Sequence, residues 1–138
     1  MAQTFLRETA TPEKSLLKEQ VTEAQIPGED GYLGILPGHS PMLSRLKSGV
    51  LTYKLANNQH VDLAVHGGFL EVKDDHVRCL VDQAENACDI DLDRANRAQR
   101  EALNKLNNAP IDLDVGDALA AAMRAEARIE AAKRNGKK

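Results

Sequence analysis

The stretch of residues 27–41 reads PGEDGYLGILPGHSP, and its composition restricts the backbone far more than an ordinary loop would. Three prolines fix φ, and four glycines spaced between them allow positive φ, so the stretch predicts a series of tight turns. Only the apolar run Tyr32–Leu36 is suited to a short strand. The stretch contains no lysine and lacks the GxxxxGK[ST] pattern, which argues against a nucleotide-binding P-loop here.

Short segments of alternating apolar and polar residues flank this stretch on both sides. Before it, the pattern predicts an edge strand over Thr4–Thr9 and one or two strands between Leu16 and Ile26. After it, Met42–Leu46 is predicted as a further short strand. The first half of the chain is therefore predicted to consist of β-strands.

Two hairpins are predicted further along the chain. One spans Val50–Val65 with its turn at Asn57-Asn58, because asparagine tolerates the positive φ of a tight turn. The other spans Phe69–Val81 with its turn at Asp74-Asp75. Gly67-Gly68, between the two hairpins, leaves room for a bulge or for close backbone packing. Strands this short and closely spaced predict an antiparallel β-sandwich, or flattened barrel, of about ten short strands.

The composition changes at about Asp82, after which alanine, arginine and acidic residues dominate. Residues at helical spacing predict an amphipathic helix over Asp91–Asn107 and a second helix from Asp112 or Asp114 to Arg134. The apolar stripes of both helices are mostly alanine, so we expect the helical hairpin to be held less firmly than the β domain. The leucines assigned to these stripes are Leu103, Leu106 and Leu119.

These patterns predict an α+β fold made of two domains. Residues 1–86 are predicted to form the antiparallel β-sandwich, and residues 87–138 are predicted to form an antiparallel two-helix hairpin. The chain has 138 residues, of which 42% are hydrophobic and only 3% are aromatic, so its core should be aliphatic.

The charge and the cysteine content exclude several functional classes. A net charge of −3 argues against a general nucleic-acid-binding protein, which would carry a basic face. No apolar run is long enough to span a membrane, and the start of the chain lacks a secretory leader, so we expect the protein to stay where it is made. The two cysteines are nine positions apart and lack a CxxC spacing, so reduced thiols are expected, with Cys79 buried in a strand and Cys88 at the domain junction.

Three sequence blocks resemble those of one known family. The stretch of residues 27–41 resembles the PG.EGELGILPGHAPL run of the epsilon subunit of the F-type ATP synthase, bacterial type. HGGFLEV at His66–Val72 resembles the family's SGGF.EV, and IDLDRANRA at Ile90–Ala98 is similar to its (I/L)DxxRA motif. The order and the spacing of the blocks agree over essentially the whole chain.

The resemblance implies a non-catalytic subunit of the F1 sector that requires no cofactor. In this family the β domain docks on the gamma subunit and the membrane c-ring in the central rotor. The C-terminal hairpin lies folded on the β domain or extends towards the alpha and beta subunits, where it restrains ATP hydrolysis. The resemblance therefore implies a role in ATP synthesis and hydrogen ion transport, with the protein peripheral to the cytoplasmic face of the bacterial plasma (inner) membrane.

The resemblance also implies a site for regulatory ATP between the folded helices. The residues that match it are Glu85, Asp91, Arg94, Arg124 and Arg128. The plainer interpretation is that Asp91 caps a helix and pairs with Arg94, while the other two arginines lie on a solvated helix face. Asp117 stands where the ATP-binding members carry an arginine, which departs from the family pattern.

Two residues of the first block, Tyr32 and His39, are assigned by the resemblance to the rotor contact. His39 is equally well explained as part of the turn structure, and Tyr32 stands where many members carry glutamate. The four histidines, His39, His60, His66 and His76, show no HxxH or HExxH spacing, so we predict no metal site. No Ser/His/Asp or Cys/His set is recognisable, which argues against an enzyme.

Two alternatives to a rotor subunit remain open on the sequence. A free-standing ATP-sensing module would bind MgATP through Arg124 and Arg128 without any partner. A generic protein-interaction adaptor, composed of a β-sandwich and a helical hairpin, would neither bind ATP nor join the synthase. The pattern of strands and helices alone supports only the adaptor.

Overall fold

A computed structural model describes residues 3–13, 15–110 and 115–136. Within these residues the first part of the chain folds into one sheet of eight strands. The strands are β1 (Phe5–Ala10), β2 (Ser15–Val21), β3 (Glu23–Gly28), β4 (Gly31–Ile35), β5 (Met42–Leu46), β6 (Gly49–Lys54), β7 (His60–Lys73) and β8 (His76–Asn86).

The sheet follows the order β2-β1-β8-β7-β5-β3-β4, and β6 pairs with both β3 and β7. The long strand β7 connects these parts, because it pairs with β8 along one side and with β6 and then β5 along the other. Inward-facing residues of these strands bury an aliphatic core that includes Ile26, Leu51, Val65 and Leu70. The predicted fold class is confirmed, since the strands are mostly antiparallel and two helices follow them.

Three features of the sheet differ from the expectation. The strand predicted at the edge is internal: β1 lies between β2 and β8 and runs parallel to β8, with Leu6 opposite His76. The two strands predicted on either side of Gly67-Gly68 form the single strand β7. The described residues therefore hold eight strands where about ten were expected.

The glycine pair explains the merging of the two strands. Gly67 and Gly68 have φ values of 70° and 126°. A Cβ on Gly68 would lie 2.1 Å from the Leu80 carbonyl oxygen, so the close approach of β8 requires glycine there. The ladder keeps one register across the pair, with His66 opposite Gln83 and Gly68 opposite Val81. Strand β7 therefore continues through the two glycines, although both have positive φ.

The predicted turns are in place. Asn58 has a φ of 68°, and Asp74 and Asp75 have φ values of 52° and 57°, so both hairpins turn through left-handed conformations. Cys79 is completely buried in β8, as expected, and Cys88 is exposed next to the end of that strand.

A short 3-10 helix, Ala87–Asp89, follows β8 and leads into α1 (Leu92–Asn107) and α2 (Gly116–Arg134). Asp91 caps α1, since its Oδ1 accepts a hydrogen bond of 3.2 Å from the backbone N–H of Arg94. The cap expected for the second helix at Asp112 lies outside the described residues, as does Asp114.

The helices pack through alanine, but two of the assigned leucines lie elsewhere. Ala95 and Ala102 of α1 are buried, whereas Leu103 is 44% exposed. On α2, Leu119 is 51% exposed, and the buried residues are Ala125, Ala127, Ile129, Ala131 and Ala132. The buried side of α2 therefore differs from the predicted one. Its buried residues lie towards the C-terminal end of the helix, because that end packs on β6 and β7 as well as on α1. The helical spacing of apolar residues could not predict this contact of α2 with β6 and β7.

Candidate functional site

A cleft of about 350 Å³ lies where the end of β8 meets both helices. The floor is apolar, with Ile90, Ala95 and Ala98 among its residues. The polar residues that line it are Gln83, Glu85, Asp89, Asp91, Arg94 and Arg128. Carboxylates and guanidinium groups thus share one small cavity, and such a mixture suits a ligand that carries both hydrogen-bond donors and negative charge.

The elements around the cleft fix each of these side chains. Asp91 is held as the α1 cap, and Arg94 follows in the first turn of the helix. Glu85 lies near the end of β8, opposite Ala64 of β7. Arg128 extends from α2 between the buried residues Ala127 and Ile129, which turn this part of the helix towards the sheet. A strand end, a helix start and a helix side therefore meet at one point.

Glu85 and Arg128 form a direct ion pair across the junction of the sheet and the helices. Arg128 Nε donates to Glu85 Oε1 at 2.6 Å. The two side chains are 25% and 29% exposed, so the pair is partly shielded from water. The plainer interpretation of Arg128 as a solvated surface arginine is therefore wrong for this residue, whereas the capping role proposed for Asp91 is present.

His66 joins this pair, although sequence reasoning gave it no function. Its Nε2 lies 3.2 Å from the same Glu85 Oε1, and its Nδ1 lies 3.3 Å from Ser48 Oγ. Burial lowers the pKa of His66, the nearby charges of Arg128 and Arg124 lower it further, and Glu85 opposes them. A neutral ring that donates from Nε2 to Glu85 and accepts from Ser48 at Nδ1 satisfies both contacts. The feature of the sequence that could have drawn attention to His66 is its position as a polar residue next to an apolar strand segment.

The structure brings four of the five residues assigned to ATP into the cleft: Glu85, Asp91, Arg94 and Arg128. Arg124 lies one helical turn before Arg128 and is half-buried outside the cleft wall, where its charge still reaches His66. Asp117 lines a separate cavity near the opposite end of the helices.

Tyr32 and His39, the residues assigned to the rotor contact, lie away from the cleft. Tyr32 is 49% exposed, and its hydroxyl accepts a 2.9 Å hydrogen bond from the backbone N–H of Val50. It also borders a cavity beside Met123 of α2. His39 is half-buried, with Nδ1 2.7 Å from the Ser40 carbonyl oxygen. The two residues therefore have local structural contacts of their own.

An outer face of the sheet carries an apolar patch. Leu43, Phe69 and Leu80 are 74%, 50% and 44% exposed. Phe69 is directly opposite Leu80 on one neighbouring strand and Arg45 on the other, and the Arg45 guanidinium lies 5.7 Å from the centre of the Phe69 ring. We call Leu43, Arg45, Phe69 and Leu80 the apolar face. Clustered exposed apolar side chains of this kind mark a surface for protein contact.

The described residues also exclude two kinds of feature. Within residues 3–13, 15–110 and 115–136, no cluster of three or more His, Cys, Asp or Glu side chains is arranged to bind a metal ion. None of the helices in the described part of the chain is long and apolar enough to cross a membrane.

Comparisons with known proteins identify the class of protein to which this chain belongs. The family model for the β-sandwich domain of the ATP synthase delta/epsilon chain matches residues 4–87. A chain of the Euglena gracilis mitochondrial ATP synthase, from a cryo-EM structure of OSCP, F1 and the c-ring, has the same fold. Its TM-score is 0.84 at 24% identity, over 94% of this chain and 81% of that chain.

Two bacterial relatives extend the match over the strands and the helices. The ATP synthase epsilon chain of Solibacter usitatus is 52% identical over 96% of this chain and 98% of its own length. That of Moorella thermoacetica is 41% identical over 91% of this chain and 93% of its own length. The chain therefore belongs to the ATP synthase epsilon-chain family, which confirms the resemblance. It is a non-catalytic, peripheral subunit of that membrane-bound complex and serves ATP synthesis and hydrogen ion transport.

Proposed function

We propose that the protein is a rotor subunit of the central stalk whose helical hairpin acts as a movable brake on ATP hydrolysis. In this proposal the β domain joins the gamma subunit to the c-ring. The hairpin exchanges between the docked position seen here and an extended position in contact with the alpha and beta subunits. The observation that carries the proposal is the small, alanine-rich interface by which α2 is held on the sheet.

On the helix side, that interface is formed by small apolar side chains. Ala131 and Ala132 of α2 pack against a cluster formed by Val50, Ala64, Ala87 and Ile90. Each buried methyl group contributes about 0.8 kcal/mol, whereas a fully buried leucine contributes about 1.5 to 3 kcal/mol. A contact made largely of alanine therefore favours docking only modestly, and a partner with higher affinity for the extended state can reverse it.

Polar contacts supply the rest of the docking interface. At one end Arg128 pairs with Glu85. At the other end Arg134 Nη1 donates to Thr52 Oγ1 at 3.2 Å, and Thr52 in turn donates to Asp62. Bonds of this kind can be exchanged for equivalent bonds to water or to a partner at little net cost. The docked hairpin is thus held in a way that suits reversible release.

The apolar face supports the rotor half of the proposal. It lies on β5, β7 and β8, and one protein of similar fold belongs to the central stalk and c-ring of the Tetrahymena thermophila mitochondrial ATP synthase. We assign the apolar face to the gamma subunit, and we assign Tyr32 and His39, in the glycine- and proline-rich segment, to the rotor contact. The complex would then hold the subunit at the cytoplasmic face of the bacterial inner membrane.

The proposal is tested by ATP hydrolysis in the catalytic complex assembled with the full chain or with a chain that ends at Ala87. We expect higher turnover with the shortened chain, because the β domain still assembles and the brake is gone. A chain ending at Arg134, which keeps both helices, is the matched control and should retain the low rate. Equal turnover for all three assembled complexes would contradict a braking role.

We also propose that the cleft binds a regulatory ATP in the docked state. Arg94 and Arg128 would hold the phosphates through charge-assisted hydrogen bonds, and Asp91 or Glu85 would accept hydrogen bonds from adenosine. The ion pair with Glu85 supports this proposal, because it already orients the Arg128 guanidinium in the cleft. A ligand that binds only the docked state stabilises docking in proportion to its concentration. The same site would serve a free-standing ATP sensor, the second candidate.

Calorimetric titration of the full chain with MgATP tests the cleft. Arg128→Gln should weaken binding at least about tenfold, because a hydrogen bond to a charged group contributes about 1.5 to 3 kcal/mol. Arg97→Gln, on the exposed side of α1, is the matched control and should bind as the unchanged chain does. If Arg128→Gln bound MgATP normally, the site would have to lie elsewhere.

A further inference from the structure

Glu85 stands between two partners that belong to different domains. One of its oxygens, Oε1, is shared by His66 Nε2 at 3.2 Å and by Arg128 Nε at 2.6 Å. The shorter contact is the ion pair with the helix, and the longer one is the contact within the sheet. An anion that binds Arg128 must therefore compete with Glu85. If Glu85 no longer contacts Arg128, its contact with His66 remains.

We propose that His66 and the cleft form one linked site, in which polyphosphate binding at Arg128 and protonation of His66 favour each other, with Glu85 as the shared partner. This inference rests on the proposed ATP site and adds a regulation to it. The ligand class is a polyphosphate, either as the chain of ATP or as inorganic tripolyphosphate. The consequence is that protonation, as well as nucleotide concentration, controls how firmly the hairpin is docked.

The charges around His66 determine the sign of this coupling. From β8 the ring faces Glu85, from α2 it faces Arg124 and Arg128, and from the segment before β6 it meets the uncharged Ser48 hydroxyl. These are the charged groups in the described part of the chain that act on the ring. Burial and the two arginines disfavour the protonated form, and Glu85 favours it.

A bound polyphosphate reverses the balance of these charges. Its negative charge offsets Arg128 and Arg124, and it frees Glu85 from the ion pair, so that the carboxylate charge is no longer shared between Arg128 and the His66 ring. Both changes favour imidazolium, so the pKa of His66 should rise on binding and a proton should be taken up. Because the coupling is reciprocal, the affinity for polyphosphate rises as the pH falls from above the higher pKa of the bound state to below the lower pKa of the free state.

The direct test is an NMR titration of the histidine rings in the full chain, with labelled imidazole nitrogens followed from about pH 5 to pH 8. The chain is measured without ligand, with saturating ATP and with saturating tripolyphosphate. We expect ATP to raise the pKa of His66 by about one unit, which corresponds to about tenfold in affinity. His76, which contacts Glu8 at 3.2 Å, is the internal control and should not respond.

The outcomes separate this inference from the site on which it rests. If ATP moves the backbone amide signals of Ala95 and Ala98 but leaves the pKa of His66 unchanged or lowered, the linkage is overturned while the ATP site stands. Absence of any amide change with either ligand overturns both. A raised pKa that persists in Arg128→Gln, with the ligand still bound, overturns the role of Arg128. An equal shift with ATP and tripolyphosphate supports the linkage and assigns it to the phosphate chain; a shift with ATP alone supports it for the nucleotide.

Discussion

At the scale of single residues, Arg7 has the least access to water of the charged groups in the described part of the chain. Its side chain lies inside the sandwich and is completely buried, with its guanidinium carbon 3.7 Å from the centre of the Tyr53 ring. Arg7 Nη1 donates to Thr9 Oγ1 at 2.7 Å, while Nε and Nη2 have no hydrogen-bond partner among the described residues. Burial lowers the pKa of Arg7, with Tyr53, Cys79 and Glu19 opposing that effect. Stacking on Tyr53 offsets part of the cost.

We predict that Arg7→Met leaves the free energy of unfolding unchanged or raises it by about 1 to 2 kcal/mol, since an apolar side chain of similar length removes unpaired buried donors. Arg7→Ala should lower it by about 2 to 4 kcal/mol by leaving a cavity. Urea unfolding followed by circular dichroism measures both, with the exposed Arg97→Met as the control. A large loss of stability in Arg7→Met would mean that the charge is better satisfied than the described contacts indicate.

Other residues follow from the sequence because their surroundings are local. The left-handed Asn58, Asp74 and Asp75 were predicted from turn chemistry, and Asp91 from helix-capping preference. Cys79 was predicted as a buried strand residue, and burial raises the pKa of its thiol to about 12. The burial of Arg7 was not predicted. The alternation of apolar and polar residues indicates which side of a strand faces the core, but it does not indicate that a charged residue can lie on that side.

At the scale of elements, the helices were easier to place than to orient. The start and the end of α1 follow from Asp91 and from the residues around Asn107, which are local signals. The buried side of α2 does not, because alanine occurs on several of its faces and gives a weak stripe. Its orientation is decided by Ala131 and Ala132 meeting the sheet, a contact between segments far apart in the chain.

The strands show the same division. Their existence follows from alternation, but the position of β1 between β2 and β8 does not, because its parallel pairing joins Leu6 to His76 across most of the β domain. The continuity of β7 through Gly67 and Gly68 also depends on β8 lying close against those glycines. Pairing between distant strands is therefore the part of the sheet that sequence patterns leave open.

At the scale of the whole molecule, the two faces of the β domain have different functions in our proposal. The hairpin covers part of β6 and β7 and forms the cleft with the end of β8, whereas the apolar face on β5, β7 and β8 remains uncovered. A rotor subunit needs this arrangement, since its permanent partner must stay bound while the hairpin moves. The apolar face should therefore contribute to assembly without affecting the cleft.

We predict that Phe69→Ser weakens the association with the gamma subunit about tenfold or more, because a half-exposed aromatic ring in a patch of this kind is an anchor for binding. Leu103→Ser, an exposed apolar residue of α1, is the matched control and should assemble normally. Co-purification with gamma, together with circular dichroism to verify folding, measures both. Normal assembly of Phe69→Ser would place the gamma contact on a different surface.

The sequence by itself determined what depends on neighbouring residues: the strand-rich first half, the helical second half, the turns, the α1 cap and the family. It also supplied four residues that meet in the cleft, through their resemblance to that family. Only the tertiary structure decided that His66 shares Glu85 with Arg128, that Arg7 is buried, and that α2 rests on the sheet through alanine. Each of these depends on side chains from distant segments meeting in a low-dielectric environment, where burial and pairing set the energies, and no local pattern encodes that meeting.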